Sequence, residues 1–338
     1  SLVFELLGSA LAIGLLVSFN NGNNGFSQVL EIINYDSAIT IVSGIFLSII
    51  IAFTVGSIVQ YIVRLIFTFN YEKNMKKYGP IFTGFAITMI IFFLVIKGVK
   101  GSIFDKDLAF LTENTWTVLI VLFVFWSVVT WFVMTFTKIN PLKIIVLMGT
   151  FALAMAFAGN DLVNFIGVAI AGKQAYFHWV EMGGTAEIAQ TMHMDFLTEK
   201  QPTEAYLLLL AGVIMVLTMW ISAKAKKVTE TEVGLSRQDD GDEKIKSNIL
   251  SRAIDGASMG MGSAYKTLMP NSLQAKIESR FEKQNVSKNV DARDQPAFDL
   301  MRAAVNLMIA SMLIAYATSM KLPLSTTFVT FMVAMGSS

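Results

Sequence analysis

Ala158-Gly159-Asn160-Asp161-Leu162-Val163-Asn164-Phe165-Ile166-Gly167 places two amides, a carboxylate and flanking glycines inside a run that is otherwise apolar from Ile144 to Ala171. As a helix, such a run is long enough to cross about 30 Å of hydrocarbon. A charged group at membrane depth is expensive, so Asp161 reads as functional by default. A second polar island, Lys321-Leu322-Pro323-Leu324-Ser325-Thr326-Thr327, is likewise followed by apolar residues. The two islands are expected to be parts of one buried site for a cation and an anion.

The rest of the chain has the same character. Of its 338 residues, 54% are hydrophobic and 15% charged, and the mean hydropathy is +0.59. A soluble domain carries about 25% charged residues. The shortfall, with several apolar runs near membrane-spanning length, points to an all-α polytopic membrane protein in contact with the lipid bilayer. The alternating segments of about ten residues that mark a membrane β-barrel are absent. A net charge of +1 offers no general attraction to nucleic acid, and zero cysteines exclude disulfides and thiolate metal sites. The chain opens on apolar residues at Ser1 and stops within a helical pattern at Gly336-Ser337-Ser338, so truncation at both ends is expected.

Eight apolar segments follow in order: 1–19, 37–67, 80–98 (opened by Gly79-Pro80), 116–136, 144–171, 204–222, 298–319, and one beginning at Pro323. Asn140-Pro141 breaks the chain before the fifth, and Trp116 is placed like an interfacial anchor. Strict alternation puts nineteen Lys and Arg on one side and five on the other, which makes the richer side cytoplasmic. A break or re-entrant turn in the fifth segment would change that parity. The polar stretch 223–297 reads as a cytoplasmic insertion with short amphipathic helices, and 244–254 are suited to an anionic leaflet. Its glycines at 256–262 lack the Gly-Lys-Ser/Thr ending of a phosphate-binding loop. Residues 1–9 weakly echo 329–337, pairing Gly8 with Gly336 and Ser9 with Ser337, a hint of internal duplication.

The islands supply complementary chemistry. Pro323 followed by three hydroxyls suits a helix start, where free N–H groups and the helix dipole favour an anion. Asn160, Asp161 and Asn164 fall along one side of a helix, and glycines 159 and 167 permit close approach or local unwinding. Their hard oxygens suit Na⁺; a lone carboxylate alternatively takes a proton. Moving an anion into a negative-inside cell costs about 2.3 kcal/mol per charge per 100 mV, which a co-bound cation offsets.

At these residues the chain resembles the inorganic phosphate transporter (PiT) family. Gly159-Asn160-Asp161-Leu162-Val163-Asn164 is similar to that family's Gly-Ala-Asn-Asp-Val-Ala-Asn-Ala motif, and Leu322-Pro323-Leu324-Ser325-Thr326-Thr327 to its Leu-Pro-Val-Ser-Thr-Thr motif. The chain departs from the pattern where Ala158 precedes Gly159, where Phe165 stands for the final Ala, and where Phe328 stands for a frequent His. The resemblance implies an inverted-repeat secondary transporter with broken or re-entrant helices. It implies cation coordination by Asn160, Asp161 and Asn164, and phosphate contact by Ser325, Thr326 and Thr327. On this reading 1–143 holds the remainder of a first repeat and connecting helices, 144–222 the second-repeat helices with the Asn-Asp motif, 223–297 the insertion, and 298–338 a helix and the start of the Ser-Thr-Thr hairpin. The expected function is uptake of inorganic phosphate across the cell (inner) membrane by symport with Na⁺, with no organic cofactor and no catalysis. Proton-coupled phosphate or sulfate transport and a passive anion channel are the alternatives, and a homo-oligomer is compatible with either.

Other polar residues carry smaller expectations. Glu5 needs a partner, water or the bundle interior. Arg302 is expected to snorkel to the interface, and Asn306 to make a helix–helix hydrogen bond. Met192-His193-Met194 reads as loop, because His178 and His193 are too sparse for a metal-ligand set.

Overall fold

The computed structural model describes residues 2–20, 35–68, 71–97, 113–137, 139–198, 201, 203–224, 227, 270–281, 299–320 and 322–338. The described chain is helical, with no strand among the described residues. Its helices are α1 (Leu2–Asn20), α2 (Tyr35–Phe67), α3 (Tyr71–Ile91), α4 (Thr115–Phe136), α5 (Pro141–Glu181), α6 (Ala186–Thr191), α7 (Ala205–Ile221), α8 (Asn271–Phe281), α9 (Leu300–Ser319) and α10 (Thr326–Gly336). Spans in α2, in α3 with the π-helical turn Phe92–Lys97 that follows it, and in α4, α5 and α9 are long and apolar enough to cross a membrane: Ala38–Phe67, Asn74–Val95, Thr115–Phe136, Pro141–Gly159 and Leu300–Ser319.

Three boundaries differ from those read in the sequence. The third helix begins at Tyr71, and Pro80 lies inside it. Its start is fastened by Asn74, whose Nδ2 donates to the Ile66 and Phe67 carbonyls at 3.2 Å and so caps the end of α2. Between them Thr68 turns the chain at φ 61°, a left-handed conformation uncommon for a β-branched residue. The last helix begins at Thr326 rather than Pro323, because Ser325 is its N-cap.

The fifth segment shows the third difference: α5 runs for 41 residues without a break or re-entrant turn. Asn140 caps it by accepting from the Leu142 N–H at 3.0 Å, with Pro141 at the first helical position, where its missing N–H is no loss. Glycines 159 and 167 do not unwind it, since a glycine inside a long helix weakens it by only about 1 kcal/mol. Such a helix extends about 60 Å, twice a hydrocarbon core. It ends in the turn at Gly183 and Gly184, which have φ of 114° and 63°.

Close contacts set the helix directions. Gly44 of α2 sits against Pro323, and Gly56 against Val333, so α2 and α10 run parallel in near backbone contact. Gly79 and Gly84 of α3 meet Met134 and Ser127 of α4, which makes that pair antiparallel. Arg64 near the end of α2 pairs with Asp299 at the start of α9. At the opposite end Phe93, in the π-helical turn Phe92–Lys97 that continues α3, packs edge-on with Tyr316 at 6.2 Å. Arg64, Asp299, the end of α4 and the end of α10 thus lie at one end of the bundle, called here the ion-pair end. The four-residue link 137–140 returns the chain there, so α5 runs parallel to α9, and Gly149 packs on Leu307.

The core is organised around α9. Met301, Ala304, Val305, Ile309, Ala310 and Ile314 are all buried, and α9 packs against α5, α10, α2, α3 and the π-helical turn. Within 223–297, α8 reaches the ion-pair end, where Phe281 stacks on Tyr61 of α2 at 5.3 Å. The stretches 244–254 and 256–262 lie outside the described residues.

Candidate ion and anion site

The two islands have different surroundings. Ser325 is half-buried, and its Oγ accepts from the Phe328 N–H at 3.4 Å. Thr326 is 3% exposed and opens α10, whereas Thr327 is exposed. The three hydroxyls therefore do not share one face. Thr326 turns into the bundle, and Thr330, one turn on, donates to the Thr326 carbonyl at 3.0 Å.

Asn160, Asp161 and Asn164 are helical residues of α5, but their side chains lie outside the described ones. Around them α5 emerges from the core. Ala156 is the last buried apolar residue of α5 among the described ones, a Cβ added to Gly159 would meet nothing within 4 Å, and Phe165 is exposed. Because Gly149 packs on Leu307, Asn160 lies eleven residues further along α5 and Thr318 eleven further along α9, both about 16 Å on. The Asn-Asp segment and the turn that carries Ser325 are thus at one level, away from the ion-pair end. α10 itself packs chiefly on α2 and α9 and meets α5 at few positions.

Several polar atoms of the core, those of Asn306 aside, were not singled out in the sequence. The Thr318 hydroxyl at the island level is buried without a hydrogen-bond partner, as are Gln60 Oε1, Thr83 Oγ1, Thr88 Oγ1 and both amide atoms of Asn306. The helix–helix bond expected of Asn306 is not made. A lone hydroxyl or amide in an apolar helix carries no mark of its burial, since burial depends on which helices pack around it.

The ion-pair end is strongly tied. Asp299 Oδ2 pairs with Arg64 Nη2, while Oδ1 caps α9 by accepting from the Met301 and Arg302 N–H groups at 3.0 and 3.3 Å. Arg302 does not snorkel. It is 8% exposed, donates from Nε to Ser337 Oγ at 3.2 Å and from Nη2 to the Ala334 carbonyl at 3.2 Å, and also bonds Ser338. A guanidinium is well placed there, because the last carbonyls of α10 need donors and the dipole favours a cation.

The far part of α5 carries a second ion pair. Lys173 bonds Glu204 at 2.5 Å and lies 5.9 Å from the Tyr206 ring, joining α5 to the start of α7. The bond to Glu204 raises the Lys173 pKa above its ordinary value, and the same bond holds the Glu204 carboxyl below its own. His178 packs against Phe196 with ring centroids 4.2 Å apart. Glu5 is exposed. Among the described residues no group of three His, Asp or Glu is arranged to hold a metal ion.

No family model, curated protein or solved structure matches the chain. Among the described residues the fold is all-helical, with five helices long and apolar enough to cross a membrane and a few polar groups buried in an apolar core.

Proposed function

We propose that the protein takes up inorganic phosphate by cation-coupled symport, Na⁺ being the cation that hard amide and carboxylate oxygens suit best. The observation that carries this reading is the placement of α10. Its Ser325-capped N-terminus, with Thr326 buried, lies at the level of Asn160, Asp161 and Asn164. A helix start inside an apolar bundle presents N–H groups and a positive dipole end that an anion satisfies. Oxygen ligands at the same level place a cation near enough to lower the cost of the anion's charge. Each ion then stabilises the other's site, which is the thermodynamic requirement for coupling.

The similarity of both motifs to the phosphate transporter family supports this function, an inverted-repeat plan and a location in the cell membrane. The uninterrupted α5 modifies the expected mechanism: any rearrangement of this half-site moves α10 or α9 relative to a rigid α5. The test is uptake of radioactive phosphate into proteoliposomes with an imposed Na⁺ gradient. Uptake that collapses when K⁺ replaces Na⁺ supports symport with Na⁺. Uptake that follows a pH gradient instead transfers the role to protons, and a flux driven by voltage alone identifies a channel.

A further inference from the structure

Within the polar stretch 223–297, α8 divides into two faces. Asn271, Ser272, Ala275, Glu278 and Ser279 are exposed, and at about 100° per residue they fall on one arc of about 120°. Gln274, Ile277, Arg280 and Phe281 are half-buried and fall on the opposite arc, with Ile277 and Phe281 near its centre and Arg280 at one edge. Leu273 recurs with Ile277 and Phe281 at every fourth position, and Lys276 precedes Arg280 by one turn.

The half-buried face meets α2 on a flank suited to lipid. Phe281 stacks on Tyr61 at 5.3 Å, and Tyr61 shares its flank of α2 with Ile58, Ile62 and Ile66, all exposed. On a membrane-spanning helix such a flank is covered by acyl chains. The span Ala38–Phe67 is about 45 Å long, so when centred it overruns a hydrocarbon core of about 30 Å by about 7 Å at each end. Tyr61 lies about 9 Å before the end of that span, which sets the contact with Phe281 at the hydrocarbon boundary, the depth that tyrosines favour. Lys76, Lys77 and Lys143 are exposed at the same end of the bundle.

We propose that α8 lies in the membrane interface at the ion-pair end and binds the headgroups of anionic phospholipids through Arg280 and Lys276. A helix seated at this depth puts Ile277 and Phe281 against acyl chains on the side that α2 leaves open, and turns its exposed arc to water. Arg280, at the edge of the apolar arc, lays its stem along that surface and carries its guanidinium to the headgroups. There the planar fork matches the two free oxygens of a phosphodiester. Lys276 adds a second positive charge for the same leaflet. Glu278, the one acid of α8, falls on the exposed arc opposite these two positions and is kept from the headgroups. This surface is remote from the two islands, so its role is independent of the ion transported.

The absence of native cysteine allows a single probe. Ile277→Cys and Ala275→Cys, made separately in the full chain, carry a bimane label on the half-buried and on the exposed face. Each is reconstituted in phosphatidylcholine vesicles that contain either brominated phosphatidylglycerol or the same amount of brominated phosphatidylcholine, whose tails quench the label on contact. Quenching is expected at 277 and not at 275, with a preference for phosphatidylglycerol of about fivefold for each of the two basic residues. Lys276→Gln with Arg280→Gln is expected to remove that preference and to leave Tm unchanged. No quenching at 277, as a protein partner on this face would give, overturns the proposal. So do equal quenching at 275 and 277, no preference between the two lipids, a preference that survives the double variant, or a fall in Tm with that variant.

Discussion

At the residue scale, Asp299 joins two tasks, because one carboxylate oxygen caps α9 while the other meets Arg64. Breaking a buried pair from one side leaves an uncompensated charge. Arg64→Met is therefore expected to destabilise the protein by about 3–5 kcal/mol. Asn at 299 keeps the capping oxygen without the charge, so Arg64→Met with Asp299→Asn should recover part of that loss. Thermal unfolding in detergent measures both, and a double variant no more stable than the single one contradicts the ion-pair account. Asp161 is the one carboxylate of the Asn-Asp segment. Asp161→Asn is expected to abolish Na⁺-dependent phosphate uptake in proteoliposomes, and retention of normal coupling would remove the cation assignment.

At the element scale, glycines separate close helix contacts from open helix. A Cβ at Gly56 would lie 2.7 Å from the Val333 carbonyl oxygen and 3.0 Å from its Cα, and backbone cannot swing aside as a side chain does. Gly56→Ala should push α2 and α10 apart and cost about 1–3 kcal/mol. Gly159→Ala meets nothing within 4 Å in the same kind of helix, and should be neutral or stabilising by up to about 1 kcal/mol. Paired Tm measurements test the contrast. The link between α5 and α7 predicts a pH response of definite sign. Glu204, with its pKa lowered, loses the link as pH falls through that lowered value. Lys173, with its pKa raised, loses it as pH rises through that raised value. The pair is intact across the neutral range between them. The pH profile of uptake there should superimpose for the native protein and Lys173→Gln.

At the scale of the whole molecule, the contacts place the ends of α2, α4 and α10 and the starts of α5 and α9 together. Arg64, Lys76, Lys77 and Lys143 belong to that end, which on the excess of basic residues is expected to face the cytoplasm. In the cysteine-free chain, Lys77→Cys and Lys224→Cys should be protected from an impermeant thiol reagent in intact cells, and Thr185→Cys labelled. Labelling of Thr185→Cys from the same side as Lys77→Cys would contradict the direction of α5. The uninterrupted α5 also removes the parity change that a re-entrant segment would have introduced.

Helix existence and membrane character were legible in the sequence, because the length and hydropathy of a run depend only on the residues within it. Helix starts set by Pro and a capping side chain, as at Asn140-Pro141, were nearly as legible. Local signals were weaker where a distant partner decides. Gly79-Pro80 reads as a helix start, yet Asn74 fastens α3 a full turn or more earlier through carbonyls of another helix. Arg302 reads as a side chain that escapes to the interface, yet the end of α10 accepts its hydrogen bonds. The Asn-Asp and Ser-Thr-Thr segments are conspicuous in sequence, whereas Gln60 is not, since its isolation comes from the helices packed around it. The composition of each run determined that this chain makes apolar helices. The packing around α9 decided which polar groups are buried and left without a bond, because burial is a property of neighbours that lie hundreds of residues apart in the chain.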